Sequence, residues 1–225
     1  ERHGECRMSA WLPRVAAAAL TGLVACSAAL GAPARVAGTV ASVTGDTLVI
    51  TTADAKPQIV RLDDKIRITI RTPAAYAILE EGRYVGVTAM PRADGTLVAS
   101  AVSVFPESRR GAGEGHYPMK GRPAGTTMTN ATVKSVSVSA SRPAGNATVT
   151  AATYAHGEYR LTLAYAGGAQ TVVVPDDVPV VALSNGDRSA LARGAHVIVT
   201  GERDAQGELA ATRIDVGGNG SVPPL

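Results

Sequence analysis

Hydrophobic and polar residues alternate along most of the chain after residue 35. Ile66, Ile68 and Ile70 alternate with Arg67 and Thr69, which makes one face apolar and the other polar and predicts a half-buried β-strand. The same two-residue period predicts strands at 47–51, 59–62, 84–89 and 96–105. These patterns predict an all-β fold.

The last of these strands changes phase in its middle. Leu97 and Ala99 are out of phase with Val102 and Val104. One extra residue in a strand moves the side chains that follow it to the opposite face, so we expect a β-bulge between Ala99 and Val102.

The strand pattern occurs twice. TLVITTADAKPQIVRLDD from Thr47 aligns with RLTLAYAGGAQTVVVPDD from Arg160. Each copy continues with a short helical segment, at 74–81 and 187–193, that ends at a glycine suited to a left-handed cap, and then with a glycine in a hairpin turn. The repeated turn residues are Asp63, Asp64, Gly82 and Gly95 in the first copy and Asp176, Asp177, Gly194 and Gly207 in the second.

This repetition predicts a duplicated unit and two tandem small β-barrels. Each has five to six strands, one short helical turn and an OB-like character, with a compact β-sandwich as the alternative. The adjacent aspartates of each copy, Asp63 and Asp64 or Asp176 and Asp177, could bind a hard cation such as calcium, or they could form turns. Adjacent residues of a strand point to opposite faces, which favours turns.

The N-terminal segment predicts export. Met8 is the expected initiator, Arg14 supplies a positive charge, and residues 15–24 are a short apolar stretch typical of a signal peptide. Cys26 ends a lipobox-like sequence and would be lipidated, whereas the alternative cleavage site at 32–34 would release a soluble protein. We therefore expect a periplasmic protein, either soluble or anchored to the outer membrane through Cys26.

The predicted organisation has five segments: an N-terminal extension with the signal peptide (1–34), a first β domain (35–105), a Gly-rich linker (106–125), a second β domain (126–217) and a tail (218–225). Both cysteines, Cys6 and Cys26, lie in the first segment. The folded part then has no thiol for a disulfide or a nucleophile.

Composition narrows the classes of partner. The net charge is only +3, no segment is a polycationic arm, and 4% of the residues are aromatic, so we expect no nucleic-acid partner. No run of 20 apolar residues predicts a transmembrane span in the mature chain.

Three stretches resemble a known family: GTVASVTGDTLVI from Gly38, LEEGRYVGVTAMPRADGTLVASAV from Leu79, and ARGAHVIVTGERDAQGELAATRI from Ala192. They are similar to the bacterial exported proteins that carry the DUF5666 domain, and the resemblance spans nearly all of the mature chain. It implies the fold and export more than any activity, because the family is largely uncharacterised.

The linker holds the candidate metal ligands. Glu114, His116 and Met119 combine a carboxylate, an imidazole and a thioether, which suit copper or zinc. The alternative is a mobile connector whose polar residues have no joint role. No catalytic motif is present, so we expect neither an enzyme nor an organic cofactor.

Three functions follow from these features. The first is an exported, non-enzymatic binding or accessory protein of the bacterial envelope, whose partner is an envelope protein or a surface ligand. The second is a periplasmic copper- or zinc-handling protein that uses His116. The third, suggested only by the barrel topology, is an OB-type module for oligonucleotides.

Overall fold

A computed structural model describes residues 32–140, 157–204 and 207–223. The predicted signal peptide up to residue 31, including Cys26, lies outside these residues, whereas the alternative cleavage site at 32–34 is part of the first strand. No helix in the described part of the chain is long and apolar enough to cross a membrane. The strands are β1 (Ala32–Thr44), β2 (Thr47–Thr52), β3 (Pro57–Arg61), β4 (Arg67–Pro73), β5 (Tyr84–Pro91), β6 (Leu97–Val104), β7 (Gly115–Pro118), β8 (Thr127–Ala140), β9 (Gly157–Tyr165), β10 (Gly168–Val174), β11 (Val180–Gly186), β12 (His196–Arg203) and β13 (Leu209–Gly217).

The all-β class is confirmed, and the five strands predicted in the first half are all present. The predicted helical segments differ, because each contains only a three-residue 3-10 turn, at Tyr76–Ile78 and Arg188–Ala190. The glycines that follow them, Gly82 and Gly194, have φ values of 84° and 87°. A non-glycine residue is strained at such angles, so these glycines let the chain turn directly into the next strand.

The strands form one large sheet in the order β10-β9-β8-β5-β6-β11-β4-β13-β12-β1-β2-β3, with β7 added beside β8. Two further parallel pairings, β13 with β3 and β10 with β6, each link strands already present in this path. They close two circuits of hydrogen-bonded strands. The first circuit contains β1, β2, β3, β13 and β12, and the second contains β8, β9, β10, β6 and β5.

Each circuit takes strands from both halves of the chain. In the first circuit, β1 pairs with β12 and β3 pairs with β13, so strands from the N-terminal half meet strands near the C-terminus. In the second circuit, β8 pairs with β5 and β10 pairs with β6, and both β5 and β6 come from the N-terminal half. The antiparallel pair β4 and β11 joins the circuits. The sheet is therefore not two side-by-side sets of consecutive strands.

Matching bulges occur at corresponding places in the two circuits. Between β5 and β6 the register skips Ser100, whose hydroxyl donates to the carbonyl oxygen of Thr88 at 3.3 Å. Between β12 and β13 the register skips Thr212, whose hydroxyl donates to the carbonyl oxygen of Thr200 at 3.1 Å. The bulge expected between Ala99 and Val102 is the first of these.

Two hydrophobic cores fill the circuits. The first includes Val40, Leu48, Ile50, Leu209 and Ile214, and all five are almost fully buried. The second is made of residues such as Val85, Val87, Val102, Leu161, Leu163 and Val172. Burying each such side chain contributes about 1.5–3 kcal/mol to the free energy of unfolding, so the cores hold the strand arrangement that positions the polar residues of β4 and β13.

Candidate functional site

Strand β4 presents a polar face away from the first hydrophobic core. Ile68 packs into that core, whereas Arg67, Thr69 and Arg71 line a surface cavity. Alternate residues of a strand point to opposite faces, which puts the two arginines on the same side. The alternation of the sequence segment 66–71 therefore places two guanidinium groups at one site.

Two adjoining cavities form a groove at this site, with volumes of about 610 and 260 Å³. Both are lined by Arg71, Ser103, Met128 and Arg213. We call the two cavities together the arginine groove, because six arginines from distant parts of the chain line it: Arg35, Arg67, Arg71, Arg109, Arg122 and Arg213.

One carboxylate, Asp215, lies among these arginines. It is 2% exposed, and the Nη2 atom of Arg213 donates to both of its oxygens at 2.8 Å. The Nη1 atom of Arg71 is 3.6 Å from Oδ2 of the same carboxylate. Asp215 therefore offsets part of the charge of two arginines and fixes their positions.

The other four arginines have no such counter-charge among the described residues. No ion pair there involves Arg35, Arg67 or Arg122, and the Nη2 atom of Arg109 donates to the neutral hydroxyl of Thr69 at 3.1 Å. Six arginines facing one carboxylate leave the groove with a strong positive potential, which concentrates anions in a concave site.

Burial and mutual repulsion lower the pKa of two of these arginines. The pKa of Arg71 is lowered first by burial and then by the charges of Arg213 and Arg35, while Asp215 acts in the opposite direction. The pKa of Arg109 is lowered by burial and by the charges of Arg213 and Arg67. The guanidinium groups therefore lie close enough to repel one another, and a bound anion would relieve that repulsion.

The smaller cavity also contains unsatisfied polar atoms. Asn130 is 8% exposed, and its Nδ2 atom donates at 3.0 Å both to the carbonyl oxygen of Gly113 and to the hydroxyl of Tyr117. Its Oδ1 atom and the Nε atom of Arg71 have no hydrogen-bond partner in the described structure. Both atoms are closed to solvent, and leaving such groups unpaired costs stability.

The predicted metal ligands have separate surroundings. A carboxylate oxygen of Glu114 accepts from the backbone N–H of Ala166 at 2.9 Å. The Nδ1 atom of His116 is hydrogen-bonded to the hydroxyl of Thr129 at 2.8 Å. Met119 lines the larger cavity of the arginine groove. No group of three or more His, Cys, Asp or Glu residues suited to a metal occurs in the described part of the chain, and the copper or zinc site stays a prediction.

The segment predicted as a linker is partly ordered in the sheet. It contains a 3-10 turn at Glu107–Arg109 and strand β7, which pairs antiparallel with β8. This arrangement carries Arg109, Met119 and Arg122 to the groove. A Gly-rich composition did not indicate this, because β7 has only four residues and its partner strand begins several residues later.

The repeated acids lie in turns that follow β3 and β10. A carboxylate oxygen of Asp63 accepts from the backbone N–H of Lys65 at 2.6 Å, and Asp64 is 3.5 Å from Nη2 of Arg188. Asp176 and Asp177 lie in the equivalent turn after β10. Gly95 and Gly207 have φ values of 81° and 84°, in the left-handed region that favours glycine.

Sequence reasoning did not find the arginine groove. The arginines are separated by most of the length of the chain, and each is an ordinary charged residue in the pattern of its own segment. The available signal was the polar face of 66–71. A lone charged strand face is usually solvated, so this signal becomes informative only after β13 is placed beside β4.

Comparison with known proteins gives one match. A family model described as "Domain of unknown function (DUF5666)" matches residues 37–103 and 160–215. Neither a curated protein nor a solved structure matches the chain. The two matched segments agree with the two copies read from the sequence.

Proposed function

The chain belongs to the DUF5666 family, and we propose that it is an exported, non-enzymatic binding module of the bacterial envelope whose arginine groove takes an anionic ligand. One observation carries this proposal: six arginines line the groove, and Asp215 is the one carboxylate among its described lining residues. Guanidinium groups bind carboxylates and phosphates through paired, charge-assisted hydrogen bonds.

Electrostatic repulsion among the arginines favours a groove that holds an anion over one that holds only water. Its arginines come from β1, β4, β13, the 3-10 turn at 107–109 and the segment before β8. Holding them together costs free energy through like-charge repulsion, and part of that cost is recovered when an anion binds. Asp215 keeps the side chains of Arg71 and Arg213 in place, which lowers the entropy lost on binding.

We also propose that each circuit is a small OB-like barrel and that two copies of a duplicated unit have exchanged strands. The matched bulges at Ser100 and Thr212 support this. So do the matched hydrogen bonds of Gly82 and Gly194, whose N–H groups donate at 2.8 Å to the carbonyl oxygens of Val133 and Val40. Each barrel would then need both halves of the chain.

Cleavage between the halves tests the exchange. Lys120 is exposed and is followed by Gly121, so it offers a site for limited trypsin digestion. Exchanged halves should stay together in size-exclusion chromatography under native conditions and separate only in denaturant. Two fragments that separate without denaturant would show independent units and contradict the exchange.

Titration calorimetry with inorganic pyrophosphate tests the anion site. We expect the full chain to bind it, with an affinity that falls as salt is raised. Arg35→Gln and Arg67→Gln should each weaken binding by at least about tenfold, because a hydrogen bond to a charged group contributes about 1.5–3 kcal/mol. Arg160→Gln, an exposed arginine of β9 outside the groove, is the matched control and should not change the affinity.

Two results would contradict the anion site. The first is the absence of pyrophosphate binding at low salt. The second is an equal loss in Arg160→Gln and Arg35→Gln, which would mean that net charge alone attracts the anion. Single-stranded DNA serves as a further probe: Phe105 is the only aromatic residue among those lining the groove, so we expect no binding beyond that of other polyanions.

A further inference from the structure

We propose that the ligand is an amphipathic anion, with a carboxylate or phosphate head on the arginines of the groove and an apolar body on its methionines. This rests on the proposed anion site and names the chemical class of its ligand. The apolar body is the new element, because the arginines alone would select any small anion.

Methionines are concentrated in the larger cavity. The chain has four, and Met90, Met119 and Met128 all line this cavity, while Met8 lies outside the described residues. Met90 is 40% exposed although it is a large hydrophobic residue. Unbranched thioether side chains adapt to irregular apolar ligands, so a cavity that gathers all three described methionines is suited to an apolar group.

Corresponding strand positions show how the groove is divided. In the first circuit, Thr200 is flanked across the sheet by Arg35 and Arg213. In the second circuit, Thr88 is flanked in the same register by Met128 and Ala101. These two rows both line the larger cavity.

One row is therefore charged and the other is neutral, although their backbone arrangements match. Asp215 adds to the polar character of the charged row, and Met90 extends the neutral row along β5. A small inorganic anion would contact only the charged row, whereas an amphipathic anion would contact both. The cavity volume of about 610 Å³ is within the range of pockets that enclose small organic ligands.

Methionine-methyl NMR tests this directly, because the full chain gives only four methionine methyl resonances. They can be assigned by replacing each methionine with leucine. We expect decyl phosphate, below its micelle concentration, to shift the resonances of Met90, Met119 and Met128 and to leave that of Met8 unchanged. Decanoate distinguishes a carboxylate head from a phosphate head, and decyl maltoside provides the same chain without charge.

Affinities measured by calorimetry complete the test. Decyl phosphate should bind at least tenfold more tightly than inorganic phosphate, and decyl maltoside should not bind. Met128→Gln should lower the affinity for decyl phosphate several-fold and leave that for inorganic phosphate unchanged, whereas Arg35→Gln should lower both. Met90→Gln, at a partly exposed position, repeats the test where folding is not at risk.

The outcomes separate this inference from the proposed function. Equal affinity for decyl phosphate and inorganic phosphate, with unchanged methionine resonances, would overturn the proposal that the ligand is amphipathic. The proposed anion site would remain supported. Tight binding of decyl maltoside would overturn the need for a charged head. Failure of all the anions to bind would overturn the anion site as well.

Discussion

Replacing Asp215 by asparagine should destabilise the protein more than any other single loss of charge in the groove. The carboxylate is almost fully buried and accepts hydrogen bonds from Arg213, with Arg71 at 3.6 Å. The Arg71 side chain is 16% exposed and that of Arg213 is 47% exposed. The substitution leaves the more buried guanidinium without its counter-charge.

The magnitude follows from these exposures. Removing one partner of a fully buried ion pair costs about 3–5 kcal/mol. Because Arg213 is half exposed and solvent screens its charge, we expect the free energy of unfolding to fall by about 2–3 kcal/mol. For a chain of this size, that corresponds to a Tm lower by about 5–10 °C.

Urea unfolding monitored by circular dichroism measures this change. Glu208→Gln is the matched control, because Glu208 pairs with Arg61 at 3.0 Å on the surface, with side-chain exposures of 46% and 68%, and its loss should cost less than about 0.5 kcal/mol. In a double variant, Arg71→Met should recover part of the stability lost in Asp215→Asn, since it removes the unpaired charge. Equal costs for Asp215→Asn and Glu208→Gln, or no recovery by Arg71→Met, would show that Asp215 does not compensate a buried charge on Arg71.

Three further predictions concern other parts of the fold. Gly201→Ala should strongly lower the urea midpoint, because a Cβ atom there would be 2.0 Å from the carbonyl oxygen of Ala210; an unchanged midpoint would contradict the bulge geometry. Tyr76→Phe should lower the free energy of unfolding by about 1 kcal/mol, measured in the same way, since the Tyr76 hydroxyl donates to the carbonyl oxygen of Val178; no loss would mean that this bond contributes nothing. The hydrogen bond that Asp94 accepts from the backbone N–H two residues on lowers the pKa of its carboxyl group below 3.8. The stability that the ionised carboxylate contributes is therefore full above the unfolded pKa and is lost as the pH falls through 3.8 and below. Asp94→Asn should therefore weaken the fall of stability in acid, and an identical pH profile for the variant and the parent would contradict this.

The local features of the fold could be predicted from the sequence because they depend on neighbouring residues. The alternation at 66–70 gave β4, the phase change after Ala99 gave the bulge at Ser100, and Gly82 and Gly194 marked the ends of short turns. The parallel pairings of β3 with β13 and of β6 with β10 could not be predicted, since they join strands that are far apart in sequence and both halves carry similar patterns. A repeated unit is compatible with pairing inside each copy or between copies, and local patterns do not distinguish the two.

In the candidate site too, local features could be predicted from the sequence and strand pairings could not. The polar face of β4 was visible in the sequence, but Arg213 reaches that face because β13 pairs with β4, and Arg35 follows because β1 pairs with β12. No single segment of the chain is strongly basic. The positive potential of the groove arises because strand pairing brings together arginines of different segments. The net charge of each segment taken separately does not show this.

NMR of the arginine side chains can observe directly whether the arginine groove binds anions. The Nε–H resonances of the ¹⁵N-labelled full chain would be followed while inorganic pyrophosphate is added at low salt. We expect the resonances of Arg35, Arg71 and Arg213 to shift and saturate together, while those of Arg61 and Arg160 stay unchanged. Resonances of the groove that stay unchanged, or that move no more than those of Arg61 and Arg160, would contradict anion binding in the groove.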